Sequence, residues 1–369
     1  MKDRLDIFCV THPGLEDVLD TELEALGFTT RDTTLGGVAV SGSREDVWRA
    51  NLFLRTASRV LVRMDTFPVH HLAQLDKKAR RLDWSHWLRA DTPVRVDATS
   101  RSSRIYHEGA AAERVGKAIQ AALGCQLSAD APVRVLVRIE KDMCTISLDT
   151  SGELLHRRGH KQEVNKAPMR ETLAAAFLAL SGYTGSETVI DPMCGSGTFA
   201  IEAAEISQGL TAGRSRRFAF EHLPGFDPAR CTTLRSTPLH AARNIRHFAS
   251  DRDAGAVRIA QSYARHAGVE DKVHVEQCDI VDRVAPDTAP GLVILNPPYG
   301  ARVGNPRQLT QLYRSLGQTL WSRFSGWRVG LVTSDAKLAK ATGLPLRPVT
   351  PSIDHGGIKI HLYTCPPLR

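Results

Sequence analysis

Apolar positions along the chain change rhythm near residue 169, and the change separates two kinds of structure. Before it, short runs that alternate apolar and polar residues, as half-buried strands do, are separated by stretches repeating every three to four residues, as amphipathic helices do. Residues 5–10 predict a strand. Leu15, Val18, Leu19, Leu23 and Leu26 then recur at helical spacing, with Gly27 placed to end that helix. A strand at 36–41, a helix at 44–57 and a strand at 58–66 follow, a β-α-β-α-β order that predicts a small α+β sandwich. A second unit opens near residue 66 with a helix over 70–82, a strand at 93–98 and a helix at 110–123. Strands at 133–139 and 143–149, joined by a turn at Glu140–Asp142, complete it.

From residue 169 the strands become short and continuously apolar: 187–191, 245–250, 272–278, 291–296 and 328–333. Helices at 197–208, 253–267 and 308–324 lie between them. Strands of that kind are buried on both faces, so the pattern predicts an α/β, mostly parallel, doubly wound sheet. Two further strands within 346–364 would close it as an antiparallel pair. Residues 151–168 read as a polar connector with Arg157, Arg158, Lys161 and Lys166, two glycines and a proline. That strip is either a solvated tether or a surface along a nucleic-acid backbone. The expected domains are 1–65, 66–160 and 161–369.

Composition narrows the picture slightly. In 369 residues, 42% are hydrophobic and 24% charged, enough for packed cores in two or three domains. Lys and Arg number 48 against 40 Asp and Glu, a net charge of +8 that favours a polyanionic partner. The seven cysteines are scattered with no CxxC pair, which predicts neither a disulfide framework nor a zinc site and points to a reducing cytoplasm. The opening MKDRLDIFCV is too charged for a signal peptide, and no apolar run approaches the roughly 20 residues of a membrane span. A cytoplasmic chain with no membrane partner and no metal is expected.

The chemistry sits in the second half. Strand 187–191 ends in Asp191, and Pro-Met193-Cys-Gly195-Ser-Gly197-Thr198 leads into an apolar helix. Glycines there let backbone approach a ligand closely, and the new helix offers free N–H groups. A dinucleotide site reads GxGxxG, but the third position here is Ala200. An acid ahead of the turn would repel a pyrophosphate and suits a cofactor carrying an amine and a sulfonium. Asp251, with Asp253 two residues on, and Asp279 follow the next two strands, where a carboxylate can accept from ribose hydroxyls or an adenine amine. Taken singly, each is more simply read as a helix cap; their place at successive strand ends favours ligand binding.

The second motif is Asn296-Pro297-Pro298-Tyr299-Gly300, directly after an apolar strand. Two prolines force a rigid exit. The Asn296 amide and the Pro297 carbonyl then supply two fixed acceptors that can orient an exocyclic base amine for in-line attack, with Tyr299 stacking on a base taken out of its pair. Taken alone, the motif is a strand-ending turn with a packed tyrosine. No metal and no His–carboxylate pair is needed, and His156, His160 and His355 read as surface or nucleic-acid-facing. In the first half, Arg101, Arg104 and Tyr106 in the loop Ser100–His107, with Arg114 and Lys117 on the next helix, have the chemistry of phosphate contacts or of a plain solvated face. Arg157 and Arg158 share that ambiguity. The 210–243 stretch mixes Arg214, Arg216 and Arg217 with Phe218 and Phe220, either to splay single-stranded RNA or to cap a sheet edge.

GLEDVL and ELEALGF near the start, NLFLRTASRVLV at 51–62 and VDATSRSSRIYHEGAAAERV at 96–115 resemble the first region of a known family. HRRGHKQEVNKAPMRETLAAA, DPMCGSGTFAIEAA and NPPYGARV resemble its catalytic region. That family is the THUMP-containing guanine-N2 methyltransferases of 23S ribosomal RNA, and the resemblance runs over nearly the whole chain. It implies a class I, Rossmann-like methyltransferase sheet of seven strands preceded by α+β ferredoxin-like and THUMP domains. It further implies S-adenosylmethionine at Asp191, Met193, Gly195, Gly197 and Thr198, with Asp251 at the ribose, Asp279 near adenine, and Met169, Arg170 and Thr172 beside the methionine moiety. Asn296, Pro297 and Tyr299 would hold the base of 23S rRNA or of a large-subunit assembly intermediate. His355-Gly356-Gly357 departs from the family's frequent Asn-Gly-Gly, and the chain's end at residue 369 leaves room for one methyltransferase module and a single activity. The competing expectations are an adenine-N6 enzyme on DNA or RNA, a tRNA guanine-N2 enzyme, and an RNA-binding assembly factor with an inactive methyltransferase fold.

Overall fold

A computed structural model describes residues 4–29, 31–160, 169–299 and 306–369. The chain forms two compact units: Met1–Thr11, Asp20–Leu155 and Arg216–Ser236 make the first, and His12–Leu19, His156–Ser215 and Thr237–Arg369 the second. The expected connector residues Lys161, Glu163 and Lys166, and Gly300 of the second motif, lie outside the described residues.

The first half of the chain contains β1 (Leu5–Val10), α1 (Glu16–Ala25), β2 (Arg31–Thr34), β3 (Gly37–Gly42), α2 (Arg44–Phe53) and β4 (Arg59–Pro68). It continues with α3 (Leu72–Ala79), β5 (Val94–Arg101), α4 (Glu108–Leu123), β6 (Val133–Glu140) and β7 (Met143–Asp149). The seven strands make one sheet in the order β2-β3-β1-β4-β7-β6-β5. Residue chemistry accounts for these elements. Along β6, Val133, Val135, Val137 and Ile139 are buried while the residues between them are not, the period of two of a half-buried strand. Ser43 and Asp46 close a reciprocal capping box at the start of α2. The β6–β7 hairpin turns on Lys141 and Asp142, both left-handed at φ 50° and 62°, as a two-residue turn of matching twist requires. Edge strand β2, Arg-Asp-Thr-Thr, went unanticipated because it is mostly exposed and has no apolar alternation to betray it.

The second half contains α5 (Glu171–Leu180), β8 (Val189–Asp191), α6 (Thr198–Ser207), α7 (Pro228–Ser236), β9 (His247–Asp251), α8 (Ala254–His266) and β10 (Val273–Gln277). Then come β11 (Leu292–Leu295), α9 (Pro306–Arg323), β12 (Arg328–Thr333), α10 (Ala336–Ala341), β13 (Arg347–Pro348), β14 (Ile353–His355) and β15 (Ile358–Cys365). The sheet order is β10-β9-β8-β11-β12-β15-β13, with β14 paired to β15. The first five strands run parallel, and β15 lies antiparallel to β12. This is the doubly wound sheet with an antiparallel close that the apolar runs predict. The tail forms three strands rather than two. All four residues of β11 are buried, as a central parallel strand demands. His247 joins β8 to β9: its Nδ1 accepts the Val189 N–H at 3.2 Å and Nε2 faces Ser207 Oγ at 3.1 Å. Burial pushes its pKa down to about 4, so the ring is neutral with the proton on Nε2.

Three sequence expectations are corrected. Arg158 is buried rather than nucleic-acid-facing: its guanidinium meets Glu202 at 3.0 Å, both side chains almost fully enclosed. His160 is likewise no surface histidine, since it lies buried 3.1 Å from Glu205. Arg214 reaches the same Glu205 at 2.7 Å. In the 216–236 segment, Arg216 donates to the carbonyls of Glu153 and Leu154, both at 2.7 Å, and its guanidinium lies over Phe218. Phe218 and Phe220 are buried and stacked at 5.0 Å, so neither ring is free to part RNA bases. Arg217 alone of that set is well exposed.

Candidate active site

The carboxyl ends of β8, β9 and β11 and the turn after β10 bring the second-half motifs to one edge of the sheet. Asp191 closes β8 fully buried, and its Oδ1 accepts the Met193 N–H at 3.3 Å. Burial raises its pKa well above the usual carboxylate range, the Met193 N–H opposes that, and the charge of Asp251 adds to it. The turn that follows needs glycine twice. Gly195 and Gly197 have φ of 53° and 78°, where a side chain would be strained. A Cβ on Gly197 would also press on the Ala260 methyl at 3.0 Å, whereas Gly195 faces open space. The turn can therefore be approached from the Gly195 side. The same two acids push the buried Cys194 thiol far up after burial itself, which makes it a poor nucleophile.

Asp251 ends β9 and spends one lone pair of each oxygen on backbone. Oδ2 accepts from Gly195 N–H and Oδ1 from Asp253 N–H, both at 2.9 Å. One lone pair per oxygen remains for a ligand. Asp253 caps α8 by accepting the Ala256 N–H at 2.7 Å, the plain role its position allowed. Asp279, half-buried after β10, accepts the Val281 N–H at 3.2 Å. The turn from β10 is held to Asp251 through Cys278 N–H on the Asp251 carbonyl at 3.1 Å.

Asn296 follows β11, and its Oδ1 is buried with no hydrogen-bond partner among the described residues. Pro297 is buried, and the Pro298 carbonyl accepts from the Tyr313 hydroxyl at 3.3 Å, fixing the exit from the strand. Tyr313, on α9, is a support that the sequence pattern did not single out. Tyr299 is half-buried against two core clusters, and burial pushes its hydroxyl up to about 12, so the phenol stays neutral. Three more buried hydroxyls lack partners among the described residues: Thr172 Oγ1 in the first turn of α5, Ser250 Oγ, one residue before Asp251, and, away from this edge at the end of α5, Ser181 Oγ. Ser250 was also missed, because a serine inside a strand gives no sequence signal. Buried polar atoms are ordinarily bonded, so orphans beside an open glycine turn are what an absent polar ligand leaves. Strand-end acids, the buried Asp191 carboxyl and the orphaned Asn296 and Ser250 oxygens fit an adenosine carrying a cationic amino acid.

The first unit carries the other predicted residues except Arg157 and Arg158, which lie in the second. Arg101, Arg104, Tyr106 and Arg114 are exposed, Tyr106 at 72%. Arg104 is held by Asp142, which accepts its backbone N–H at 2.8 Å and lies 3.6 Å from its guanidinium. Arg157 is exposed, whereas Arg158 is not. Among the described residues no group of side chains is placed to hold a metal, and no helix is long and apolar enough to cross a membrane.

Comparison with known proteins gives this site a context. The RMKL-like methyltransferase domain matches residues 158–348, more than half of the chain. The RlmL ferredoxin-like domain matches 6–61, and the THUMP domain 69–149. A protein of Syntrophotalea carbinolica named ribosomal RNA large subunit methyltransferase K/L is 35% identical over 363 residues, 92% of this chain and 50% of its own. This chain thus spans about half the length of the K/L relatives it matches. A protein of Synechocystis sp., provisionally named an RNA methyltransferase, is 30% identical over 362 residues, 95% of this chain and 94% of its own. The solved structure of a provisionally assigned methyltransferase complexed with SAH, the product left by S-adenosylmethionine, superposes with a TM-score of 0.88 at 29% identity, covering 100% of both chains. Matches of this extent, one of them nearly end to end in both partners, place the chain in the RMKL-like family of S-adenosylmethionine-dependent methyltransferases.

Proposed function

We propose that the chain transfers methyl from S-adenosylmethionine to the exocyclic N2 amine of a guanine in 23S rRNA, free or in a large-subunit assembly intermediate, in the cytoplasm. The orphaned Oδ1 of Asn296 is the observation that carries the amine reading. It is a buried acceptor on a rigid strand exit, and a base amine has two protons to donate. With the Pro297 carbonyl it would fix the nitrogen so that its lone pair points at the cofactor. Tyr299, a neutral phenol, would stack on the base once it has left its helix. Bound S-adenosylmethionine supplies an electrophilic methyl on a sulfonium. Around it, Asp191 would face the positive charge, and Asp251 would take ribose hydroxyls with its free lone pairs. Asp279 would meet the adenine amine, while Met193, Gly195, Gly197 and Thr198 would line the turn. Thr172 would border the methionine moiety.

The rRNA substrate is the reading favoured by the K/L relatives' names and by the THUMP match. Residues 1–65 and 66–160 would act as ferredoxin-like and THUMP modules gripping RNA through Arg101, Arg104, Tyr106, Arg114 and Arg157, ahead of the catalytic 161–369. The test is tritium transfer from labelled cofactor to purified rRNA, tRNA and DNA, followed by nucleoside analysis. N2-methylguanosine in 23S rRNA is expected. N6-methyladenine, or label confined to tRNA or DNA, overturns the substrate assignment. Failure to bind S-adenosylhomocysteine would favour a non-catalytic RNA-binding factor.

A further inference from the structure

Three basic side chains of the second unit interact electrostatically with one another: His12, His355 and Arg170, the last of which the family resemblance would set beside the methionine moiety. Gly14 lies so close to Pro351 that a Cβ on it would come within 2.4 Å of the proline ring, so the turn holding His12 packs on the approach to β14. Leu15, Met169 and Ile353, neighbours in sequence of the three basic residues, share one core cluster, and Tyr299 packs against it. The segments that carry His12, Arg170 and His355 therefore meet at the cluster that supports the proposed base-stacking tyrosine.

Their electrostatics are unbalanced. Arg170 stands at the start of α5 without a side-chain capping bond, and its guanidinium has no ion pair or hydrogen bond among the described residues. His355 keeps Nδ1 buried with no partner among them. Burial, then the charge of Arg170, pushes both imidazoles below their usual range, and His12 opposes protonation of His355 as well. Asp354 is the carboxylate that works the other way. It is exposed, and its Oδ1 is already engaged by the Gly357 N–H at 3.2 Å. Basic groups held together with so little compensation are relieved by an incoming anion.

We propose that His12, Arg170 and His355 bind one phosphate of the RNA strand whose target base is presented beside Tyr299. This rests on the RNA methyltransferase reading above. A guanidinium fork matches two phosphate oxygens, and protonated imidazoles add charge-assisted donors. A bound phosphate stabilises the imidazolium forms, so RNA binding takes up protons. Affinity should therefore strengthen as pH falls from 8 towards 6. The groups that set this response are Arg170, His12, His355 and Asp354.

The test uses the full chain, an rRNA transcript and S-adenosylhomocysteine as separate probes, with thermal melts to confirm folding. Arg170→Gln is expected to weaken RNA binding by roughly tenfold and to lower the slope of log affinity against log salt by about 0.7–0.9. In the His12→Gln/His355→Gln double variant KM for RNA should rise with kcat nearly unchanged, and S-adenosylhomocysteine affinity should stay within about twofold of the parent, less than a single hydrogen bond is worth. Arg170→Lys should recover the salt slope but only part of the affinity, having charge without the fork. The His12→Gln/His355→Gln double variant should lose the pH dependence of RNA binding. Unchanged RNA affinity and slope in Arg170→Gln would sink the phosphate site while leaving the enzyme's activity in place. Loss of S-adenosylhomocysteine binding instead would assign Arg170 to the cofactor's carboxylate and overturn the proposal. A parent protein that neither binds nor methylates RNA defeats the underlying functional reading itself.

Discussion

The Gly195 N–H donates to Asp251 Oδ2 at 2.9 Å, which fastens the glycine turn after β8 to the end of β9. One carboxylate thus shapes the turn and still has lone pairs for a ligand. In Asp251→Asn the amide can accept from only one of the two N–H groups that the carboxylate satisfies, and its NH2 faces the other. Leaving one such donor unmatched costs about 1–3 kcal/mol. Calorimetric titration should show S-adenosylhomocysteine affinity reduced by about tenfold or more, and the melting midpoint should drop by several degrees. Unchanged values for both would remove Asp251 from the cofactor cradle.

Asp191 sets a pH dependence whose sign follows from burial. Its folded pKa lies above its unfolded value, so its favourable contribution to stability is present below the unfolded pKa and is lost as pH rises through the folded one. At neutral pH the buried carboxylate is a burden that a cationic ligand would relieve. Asp191→Asn should therefore leave the ligand-free melting midpoint at pH 7 unchanged or higher. The same variant should weaken cofactor binding by about tenfold or more, since a hydrogen bond to a charged group is worth about 1.5–3 kcal/mol. In the parent, affinity for S-adenosylmethionine should fall as pH drops through the raised pKa of Asp191. A flat affinity profile in the parent would show that Asp191 does not serve the cofactor's positive charge.

The strand-end residues of the candidate site were more legible in the sequence than its basic residues, for a physical reason. Asp191, Asp251 and Asn296 sit at strand ends, where apolar runs stop and glycine or proline forces a turn, so pattern alone locates them. Charge does not announce its own burial. Arg157 and Arg158 are adjacent and chemically identical, yet one is exposed and the other sealed against Glu202. What decides is a carboxylate 44 residues away on α6, which no local pattern reveals. Ser250 and Tyr313 were silent for the same kind of reason, since a hydroxyl matters here only through the group that the fold sets beside it.

Arg158 and Glu202 should behave as a structural pair. Removing one partner leaves a buried, uncompensated charge, which costs about 3–5 kcal/mol. Arg158→Met and Glu202→Leu should each destabilise by that order in urea unfolding. The double variant should recover much of the loss, since an apolar pair of similar volume is often tolerated. RNA affinity measured where each variant remains folded should keep its salt slope. A slope lower by about 0.7–0.9 in Arg158→Met would restore Arg158 to the phosphate contacts.

Asn296 and Tyr299 divide the proposed chemistry, and their variants should separate. Asn296→Ala removes an acceptor from the reacting amine without touching the cofactor. It should lower kcat by roughly 10²–10³, the range seen when one preorganised hydrogen-bonding group is lost, with S-adenosylhomocysteine affinity unchanged. Tyr299→Phe keeps the ring and loses only a neutral hydroxyl, so transfer rates should stay near the parent's. Tyr299→Ala should raise KM for RNA by the roughly 1–3 kcal/mol that stacking one base is worth, and because the ring packs against two cores it should also lower the melting midpoint. Single-turnover methylation with saturating cofactor reads these effects apart. If Asn296→Ala lost cofactor affinity in a folded protein, its amide would belong to the cofactor site and the amine would need another acceptor.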